Sequence, residues 1–230
     1  MVDNIKPWYN IISKDNKGFK MEVDPDFKDH HILPGSLIAV IGGSGSGKST
    51  AIMEFMNRKK RAFWRVIFFS ASGFNEPIYK YIRSKMPDVE YYDTVDELPR
   101  LIDDPDASHE KLIVFDDFIT LPSKDFKKIN EYFVAARKKL YTVIALAQNY
   151  VSLPKIITRN CQYFIIFKLN DNVSINTIIK NHNVVGISST DFKRIYDMST
   201  KKKGDFMLID LKTNERRYML RHNFLNLFSY

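Results

Sequence analysis

A glycine-rich stretch between an apolar run and an amphipathic segment carries residue types that could do chemistry. It reads GGSGSGKST over residues 42–50 and satisfies the pattern G-x-x-x-x-G-K-[ST] at every fixed position. Glycines let such a loop turn tightly, so that several backbone N–H groups converge on phosphate oxygens. The predicted phosphate-binding residues are Gly42, Gly43, Ser44, Gly45, Ser46, Gly47, Lys48, Ser49 and Thr50.

The last fixed positions of this loop add two side chains with chemistry of their own. Lys48 is expected to reach the β- and γ-phosphates of a nucleotide, and the Ser49 hydroxyl is expected to ligate Mg²⁺. A flexible glycine–serine linker is the alternative interpretation of the stretch. A linker needs neither Lys-Ser at its end nor the five apolar residues at 37–41 before it. The pattern therefore favours ATP and Mg²⁺ as cofactors.

Two adjacent carboxylates form the second chemical feature. Asp116 and Asp117 follow the apolar residues LIVF at 112–115, so they are expected at the carboxyl end of a buried parallel strand, the edge where such sheets bind ligands. We predict that Asp116 holds Mg²⁺, directly or through water, and that Asp117 orients the water that attacks the γ-phosphorus. A simple Asp-Asp turn at a strand end is the alternative.

One amide occupies the corresponding position after the next apolar run. Gln148 follows YTVIALA at 141–147. A polar side chain at the end of a strand beside the two carboxylates could hydrogen-bond the γ-phosphate or the attacking water. We therefore include Gln148 among the candidate catalytic residues, with the capping of a strand end as the alternative role.

The periodicity of apolar residues predicts the elements that hold these groups. Strands are expected at 37–41, 65–71, 89–92, 112–115, 141–147 and 162–169. A helix is expected from about Lys48, and further helices at 76–86, 96–102, 123–136 with Ser123 as N-cap, 174–182 and 190–198. A hairpin at 5–23 and an antiparallel pair at 206–211 and 216–220 complete the chain. The predicted fold class is a three-layer α/β/α domain with a mostly parallel sheet, the phosphate-loop strand near its centre, and antiparallel additions at both chain ends.

Length and composition limit the class of protein. The chain has 230 residues, of which 44% are hydrophobic and 27% charged, which suits one globular domain. We expect a hairpin extension at 1–34, a core at 35–170 and further helices and strands at 171–230. No apolar run approaches the roughly 20 residues of a membrane span, so membrane insertion is not expected. The single cysteine, Cys161, excludes an internal disulfide and a cysteine-rich zinc site.

The charge balance favours a polyanionic partner. Lys and Arg number 35 against 27 Asp and Glu, which gives a formal net charge of +8. Such an excess suits nucleic acid, although it is also common in soluble proteins. Candidate contacts for such a partner are Lys124, Lys127, Lys128, Lys201, Lys202 and Lys203, and solvated helix faces and turns explain these lysines equally well.

Four segments, taken in order, resemble the FtsK–HerA superfamily of DNA-pumping ATPases, and more narrowly the poxvirus-type ATPases that package the genomes of large double-stranded DNA viruses. The segments are GGSGSGKST at 42–50, LIVFDD at 112–117, ARKKLYTVIALAQ at 136–148 and LPKIITRN at 153–160. The resemblance spans roughly residues 35–170. The first two segments are shared with other phosphate-loop proteins, so the succession that starts at Arg137 and ends at Asn160 is the more diagnostic part.

This resemblance implies an ATP-hydrolysing motor that translocates double-stranded DNA and packages a viral genome into a preformed capsid. Family members form homo-oligomeric rings, usually hexamers, in which an arginine of one subunit completes the site of its neighbour. Arg137 and Arg159 match the family's arginines, and both are candidates for that role, with a surface salt bridge as the alternative for each. The resemblance further implies backbone contacts to DNA without sequence preference, capsid proteins as partners, and residence in the host cytoplasm (the viral factory) and the virion.

Two other functions remain open from the residues alone. A small phosphate-loop kinase would need an arginine-rich lid and an acceptor pocket, and the sequence shows no clear lid insertion. A nucleotide-dependent adaptor with little turnover would not need Asp117 or Gln148. Stimulation of ATP hydrolysis by duplex DNA would favour the motor over both.

Overall fold

The computed structural model describes residues 24–59, 62–182 and 186–228. The hairpin predicted at 5–23 lies outside these residues. The strands within them are β1 Leu37–Ile41, β2 Arg65–Ser70, β3 Glu90–Tyr92, β4 Lys111–Asp116, β5 Tyr141–Ala147, β6 Tyr163–Phe167, β7 Phe206–Asp210, β8 Leu220–His222 and β9 Asn226–Leu227. They form one sheet in the order β3-β2-β4-β5-β1-β6-β7-β8-β9.

The helices of the described residues cover both faces of this sheet. They are α1 Lys48–Arg58, α2 Pro77–Lys85, α3 Ser123–Ala135, α4 Lys155–Asn160, α5 Asn172–Asn181, α6 Ser189–Ser199 and α7 Arg216–Met219. Alternate residues of each strand point to opposite faces, so Ile38 packs with α1 and α2 while Ala39 packs with α3 to α6. The predicted three-layer α/β/α fold is confirmed. None of these helices is long and apolar enough to cross a membrane.

Parallel pairing brings the candidate chemistry to one edge. Strands β3, β2, β4, β5, β1 and β6 are mutually parallel, and β1 lies between β5 and β6. Ile41 pairs with Ala147, and the amide of Gly42 donates to the Ala147 carbonyl at 3.0 Å. Ser70 pairs with Asp116 at the same edge. The loops after β1, β4 and β5 therefore leave the sheet side by side.

Three sequence predictions of local structure were wrong. A helix was expected at 96–102, but the chain forms two 3₁₀ turns, Val95–Glu97 and Leu101–Asp103. Pro99 explains the break, because proline disfavours helical backbone at the residue before it, and Leu98 is extended at φ −58° and ψ 134°.

Ser123 is the first residue of α3 rather than its cap, and the N-cap is Pro122. The segment expected as a strand at 216–220 is instead the helical turn α7, in which the ring of Tyr218 stacks on His31 at 4.8 Å. Strand β8 begins only at Leu220 and pairs antiparallel with β7. The antiparallel addition at the carboxyl end is thus present with a different boundary.

A buried ionic cluster joins the first described residues to the edge of the sheet at which the parallel strands begin. The Lys59 ammonium lies 2.9 Å from Asp24 and 2.6 Å from Glu110, and all three side chains are almost fully buried. His30 contacts Asp24 through Nε2 at 3.2 Å, while its Nδ1 accepts from the Ile32 amide at 3.0 Å. An acceptor at Nδ1 means that the ring is neutral.

Lowering the pH is expected to destabilise the protein through this ring. Burial and the charge of Lys59 lower the pKa of His30 to about 4, against 6.5 for an ordinary histidine. The neutral ring stabilises the fold fully above pH 6.5, and this contribution is lost as the pH falls towards 4. The free energy of unfolding should decrease by about 2 kcal/mol between pH 7 and pH 5 from His30 alone.

Urea denaturation at the two pH values measures this change. His182, whose pKa burial also lowers to about 4, adds a loss in the same direction. The variant His30→Gln isolates the His30 part, because its decrease should be smaller by about 2 kcal/mol. Equal pH dependence in the variant and the wild type would contradict the prediction.

Candidate nucleotide-binding site

The loop between β1 and α1 has a backbone that requires its glycines. Gly45 and Gly47 have φ of +68° and +110°, in the region that side chains rarely adopt. A Cβ on Gly42 would lie 2.7 Å from the Cβ of Phe167, so the loop can pass over β6 only without a side chain there. The first backbone N–H groups of an α-helix have no acceptor within the helix, so those at the start of α1 suit phosphate oxygens.

Lys48 lies in the mouth of this loop. Its ammonium donates to the carbonyls of Gly42 at 2.7 Å and Gly43 at 3.2 Å. Burial lowers the pKa of Lys48, and the carboxylates of Asp116 and Asp117 oppose that shift. The Ser46 hydroxyl is buried in the same loop without a hydrogen-bond partner among the described residues.

Asp116, the last residue of β4, and Asp117, which follows it, each accept a hydrogen bond from a hydroxyl group. Asp116 accepts from the Tyr79 hydroxyl at 2.5 Å and from the amide of Asp117 at 3.0 Å. Burial raises the pKa of Asp116, whereas the Tyr79 hydrogen bond lowers it. Asp117 has φ +46°, which aspartate tolerates better than most residues, and it accepts from the Ser72 hydroxyl at 2.6 Å.

A cleft of about 760 Å³ connects these groups. Among the predicted residues, it is lined by Ser44, Gly45, Gly47, Lys48, Ser49, Thr50, Asp116, Asp117 and Gln148. Gly42, Gly43 and Ser46 belong to the same loop but do not line the cleft. Glu76 and Thr120 also line the cleft. Neither belongs to a motif, so no signal in the sequence pointed to them. Tyr79 was also missed, since it occupies an apolar position of α2.

The cleft contains oxygen donors suited to Mg²⁺. The described residues contain no group of three or more His, Cys, Asp or Glu side chains that could hold a metal. A nucleotide-bound Mg²⁺ does not need one, because it takes one or two protein oxygens and completes its shell with phosphate and water. The Ser49 hydroxyl and the Asp116 carboxylate line the same cleft and are donors of this type.

The two candidate arginines lie away from this cleft. Arg137 is exposed and precedes β5, and its carbonyl accepts from the Leu140 amide just before that strand. Arg159 is exposed near the end of α4, directly before β6. Both therefore lie towards the amino ends of the parallel strands, whereas the cleft lies at the carboxyl ends. Neither lines the cleft of its own chain.

Replacing Tyr79 by Phe is expected to raise the pKa of Asp116, because the variant loses the hydroxyl that donates to this carboxylate. A protonated Asp116 cannot hold Mg²⁺, so the loss of ATP hydrolysis at acid pH should begin at a higher pH than in the wild type. The Mg²⁺ concentration that half-saturates nucleotide binding should rise by about two- to tenfold, the value of one hydrogen bond.

A pH–rate profile and a Mg²⁺ titration measure the two effects of Tyr79→Phe. Tyr81→Phe serves as the control, since Tyr81 is 54% exposed on the same helix. If the rate of ATP hydrolysis falls at the same acid pH in Tyr79→Phe and in the wild type, the Tyr79 hydroxyl does not lower the pKa of Asp116.

Several solved structures share this fold. The genome packaging NTPase B204 from Sulfolobus turreted icosahedral virus 2, in complex with AMPPCP, is 15% identical with a TM-score of 0.57, over 84% of this chain and 98% of that chain. EssC (ATPases 2 and 3) from Geobacillus thermodenitrificans is 11% identical with a TM-score of 0.56, over 84% of this chain and 40% of that chain. The pCW3 conjugation coupling protein TcpA with ATPγS is 12% identical with a TM-score of 0.52, over 84% of this chain and 61% of that chain.

These likenesses establish the fold, and a sequence match establishes the family. No curated protein matches the chain in sequence. The family described as poxvirus A32 protein matches residues 32–215, which is most of the chain and includes the phosphate loop, both carboxylates and Gln148. The chain belongs to the poxvirus A32 protein family.

Proposed function

We propose that this chain is an ATP-hydrolysing motor that translocates double-stranded DNA and packages a viral genome into a preformed capsid. The observation that supports this most is the meeting of Lys48, Asp116 and Asp117 in one cleft. Family membership and the likeness to B204, a genome packaging NTPase solved with AMPPCP, support it further.

Each residue of the cleft has a distinct role in this proposal. The loop amides and Lys48 bind the phosphates, while Ser49 and Asp116 hold Mg²⁺, which neutralises charge on the β- and γ-phosphates when bound. Asp117 orients the water that attacks the γ-phosphorus. Gln148 hydrogen-bonds the γ-phosphate or that water. Tyr79 and Ser72 position the two carboxylates, since each donates to one of them.

The active assembly in this proposal is a homo-oligomeric ring, a hexamer by family resemblance. Arg137 and Arg159 do not line the cleft of their own chain, so an arginine that acts in hydrolysis from either position would act on the site of a neighbouring subunit. A cation supplied there would stabilise charge that develops on the transferred phosphoryl group. The chain acts as a single domain with its core at 35–170, works in the host cytoplasm and the virion, and has capsid proteins as further partners.

Mixed rings test the arginine roles. Arg137→Ala or Arg159→Ala should lose ATP hydrolysis alone and regain part of it when mixed with a subunit that carries Asp117→Asn. The regained activity arises because an intact cleft then receives an arginine from its inactive neighbour. Arg100→Ala, whose side chain is 70% exposed outside the cleft, should need no rescue. If neither arginine variant is rescued, the trans role is wrong.

Phosphate release with and without long duplex DNA tests the function itself. The motor should hydrolyse ATP faster when DNA is present. Transfer of phosphate to an added nucleotide would instead establish a kinase. ATP binding without measurable turnover under either condition would establish an adaptor.

A further inference from the structure

A positively charged groove lies between α5 and α6, outside the nucleotide cleft, with a volume of about 1080 Å³. Its charged lining comprises four cations and one carboxylate, namely Lys180, Lys193, Arg194, Lys201 and Asp197. At Lys201 the groove meets the exposed turn 201–203, which carries two further lysines. We call the groove together with this turn the α5–α6 basic surface.

The cations of this surface are available to a partner. Lys193 and Arg194 each form an ion pair with a carboxylate of α6, at 3.5 Å and 3.1 Å, and all four side chains are about half exposed or more. Such exposed pairs stabilise a protein by only about 0.2–1 kcal/mol, so a polyanion can displace them. Neither Lys180 nor Lys201 forms an ion pair with any residue that the structure describes.

We propose that the α5–α6 basic surface contacts the sugar–phosphate backbone of double-stranded DNA. This inference rests on the proposed function and assigns its DNA-binding surface. Exposed, flexible cations along a groove suit a row of phosphates, which attract cations whatever the base sequence. The excess of cations over carboxylates also disfavours a basic or neutral partner.

The other lysine cluster of the chain is less suited to DNA. Lys124, Lys127 and Lys128 share α3 with Asp125 and Glu131, which leaves this helix a net charge of +1. The α5–α6 basic surface carries six cations against two carboxylates when both acidic residues of α6 are counted. The Lys128 ammonium in addition donates to the backbone carbonyl of Asp96 at 3.1 Å. The six lysines identified in the sequence therefore form two groups. Only Lys201, Lys202 and Lys203 belong to the α5–α6 basic surface.

The chain that directly follows the α5–α6 basic surface packs on the phosphate loop. A Cβ on Gly47 would lie 3.3 Å from the Cα of Gly204, so the backbone after turn 201–203 packs directly on the loop. Helix α6 is fixed to the same region, because the Tyr196 hydroxyl accepts from the Leu169 amide at 2.7 Å and donates to the Phe167 carbonyl at 3.2 Å. DNA bound to this surface would therefore lie against elements that support the nucleotide site.

Two triple variants with equal loss of charge test the proposal. Lys180→Gln/Lys193→Gln/Lys201→Gln removes three cations of the groove, and Lys124→Gln/Lys127→Gln/Lys128→Gln removes three from α3. Fluorescence anisotropy of a long random-sequence duplex, at several salt concentrations, measures binding. The groove variant should bind about tenfold more weakly or worse, and its slope of log K against log[salt] should shrink by about 2 to 3.

The control variant should keep the affinity and salt slope of the wild type, and thermal melting should show both variants folded, since the changed side chains lie on the surface. Wild-type affinity in the groove variant would overturn the proposal, most directly if the α3 variant has lost binding. A groove variant that loses binding of polyglutamate but not of DNA would assign the surface to an acidic protein, which also overturns it. A wild-type protein that binds no duplex at all would instead overturn the proposed function.

Discussion

The variant Asp117→Asn is expected to bind ATP as the wild type does and to hydrolyse it at least about a hundredfold more slowly. Asp117 lines the cleft that also contains Lys48, and the Ser72 hydroxyl holds its carboxylate at 2.6 Å. Asparagine has nearly the same shape and keeps an oxygen that can accept from Ser72. It has no negative charge to draw a proton from water, so chemistry is lost while binding remains.

Separate measurements of affinity and turnover test this expectation. A fluorescent ATP analogue reports binding, and phosphate release reports hydrolysis. Asp103→Asn is the matched control, because its carboxylate is 66% exposed outside the cleft. Unchanged turnover in Asp117→Asn would move water activation to another carboxylate of the cleft, and Glu76 is the one that lines it beside Asp116.

The variant Lys48→Ala is expected to lose ATP affinity by about a hundredfold or more. The estimate follows from two charge-assisted hydrogen bonds to phosphate oxygens, each contributing about 1.5–3 kcal/mol. In the structure, the Lys48 ammonium already donates hydrogen bonds to the carbonyls of Gly42 and Gly43 at the mouth of the loop. Those contacts order the side chain before the nucleotide binds, so little entropy is lost on binding.

Equilibrium titration with Mg·ATP measures the effect. Lys80→Ala removes the same charge from an exposed position of α2 and should leave the affinity unchanged. Thermal melting without nucleotide distinguishes a folding defect from a binding defect. Normal ATP affinity in a folded Lys48→Ala protein would refute the site, and the mechanism proposed for Asp116 and Asp117 with it.

The order of motifs along the chain was enough to predict that the candidate residues meet. Gly42, Asp116 and Gln148 each follow an apolar run directly. Parallel strands place all such positions at one edge, whatever the order of the strands in the sheet. The local pattern and the fold class together thus predict a shared edge, and the neighbouring positions of β4, β5 and β1 in the sheet bring the residues into one cleft. The roles of the individual side chains stay predictions until the variants are measured.

Contacts between distant segments could not be predicted in this way. Tyr79 occupies an apolar position of α2, and only the packing of that helix brings its hydroxyl to Asp116. Turn 201–203 resembles a solvated basic turn in the sequence, yet Gly204 behind it packs on Gly47. A strand is predicted at 216–220, but residues 216–219 form a helical turn whose Tyr218 stacks on His31.

The sequence by itself determined the phosphate loop, the two carboxylates, the three-layer parallel fold and the protein family, because each depends on residue types at short, fixed spacing. The tertiary structure alone decided which hydroxyl groups hold the carboxylates and which distant backbone segment packs on the phosphate loop. Those features depend on residues that are far apart in the chain, and only the packing of helices on the sheet brings them into contact.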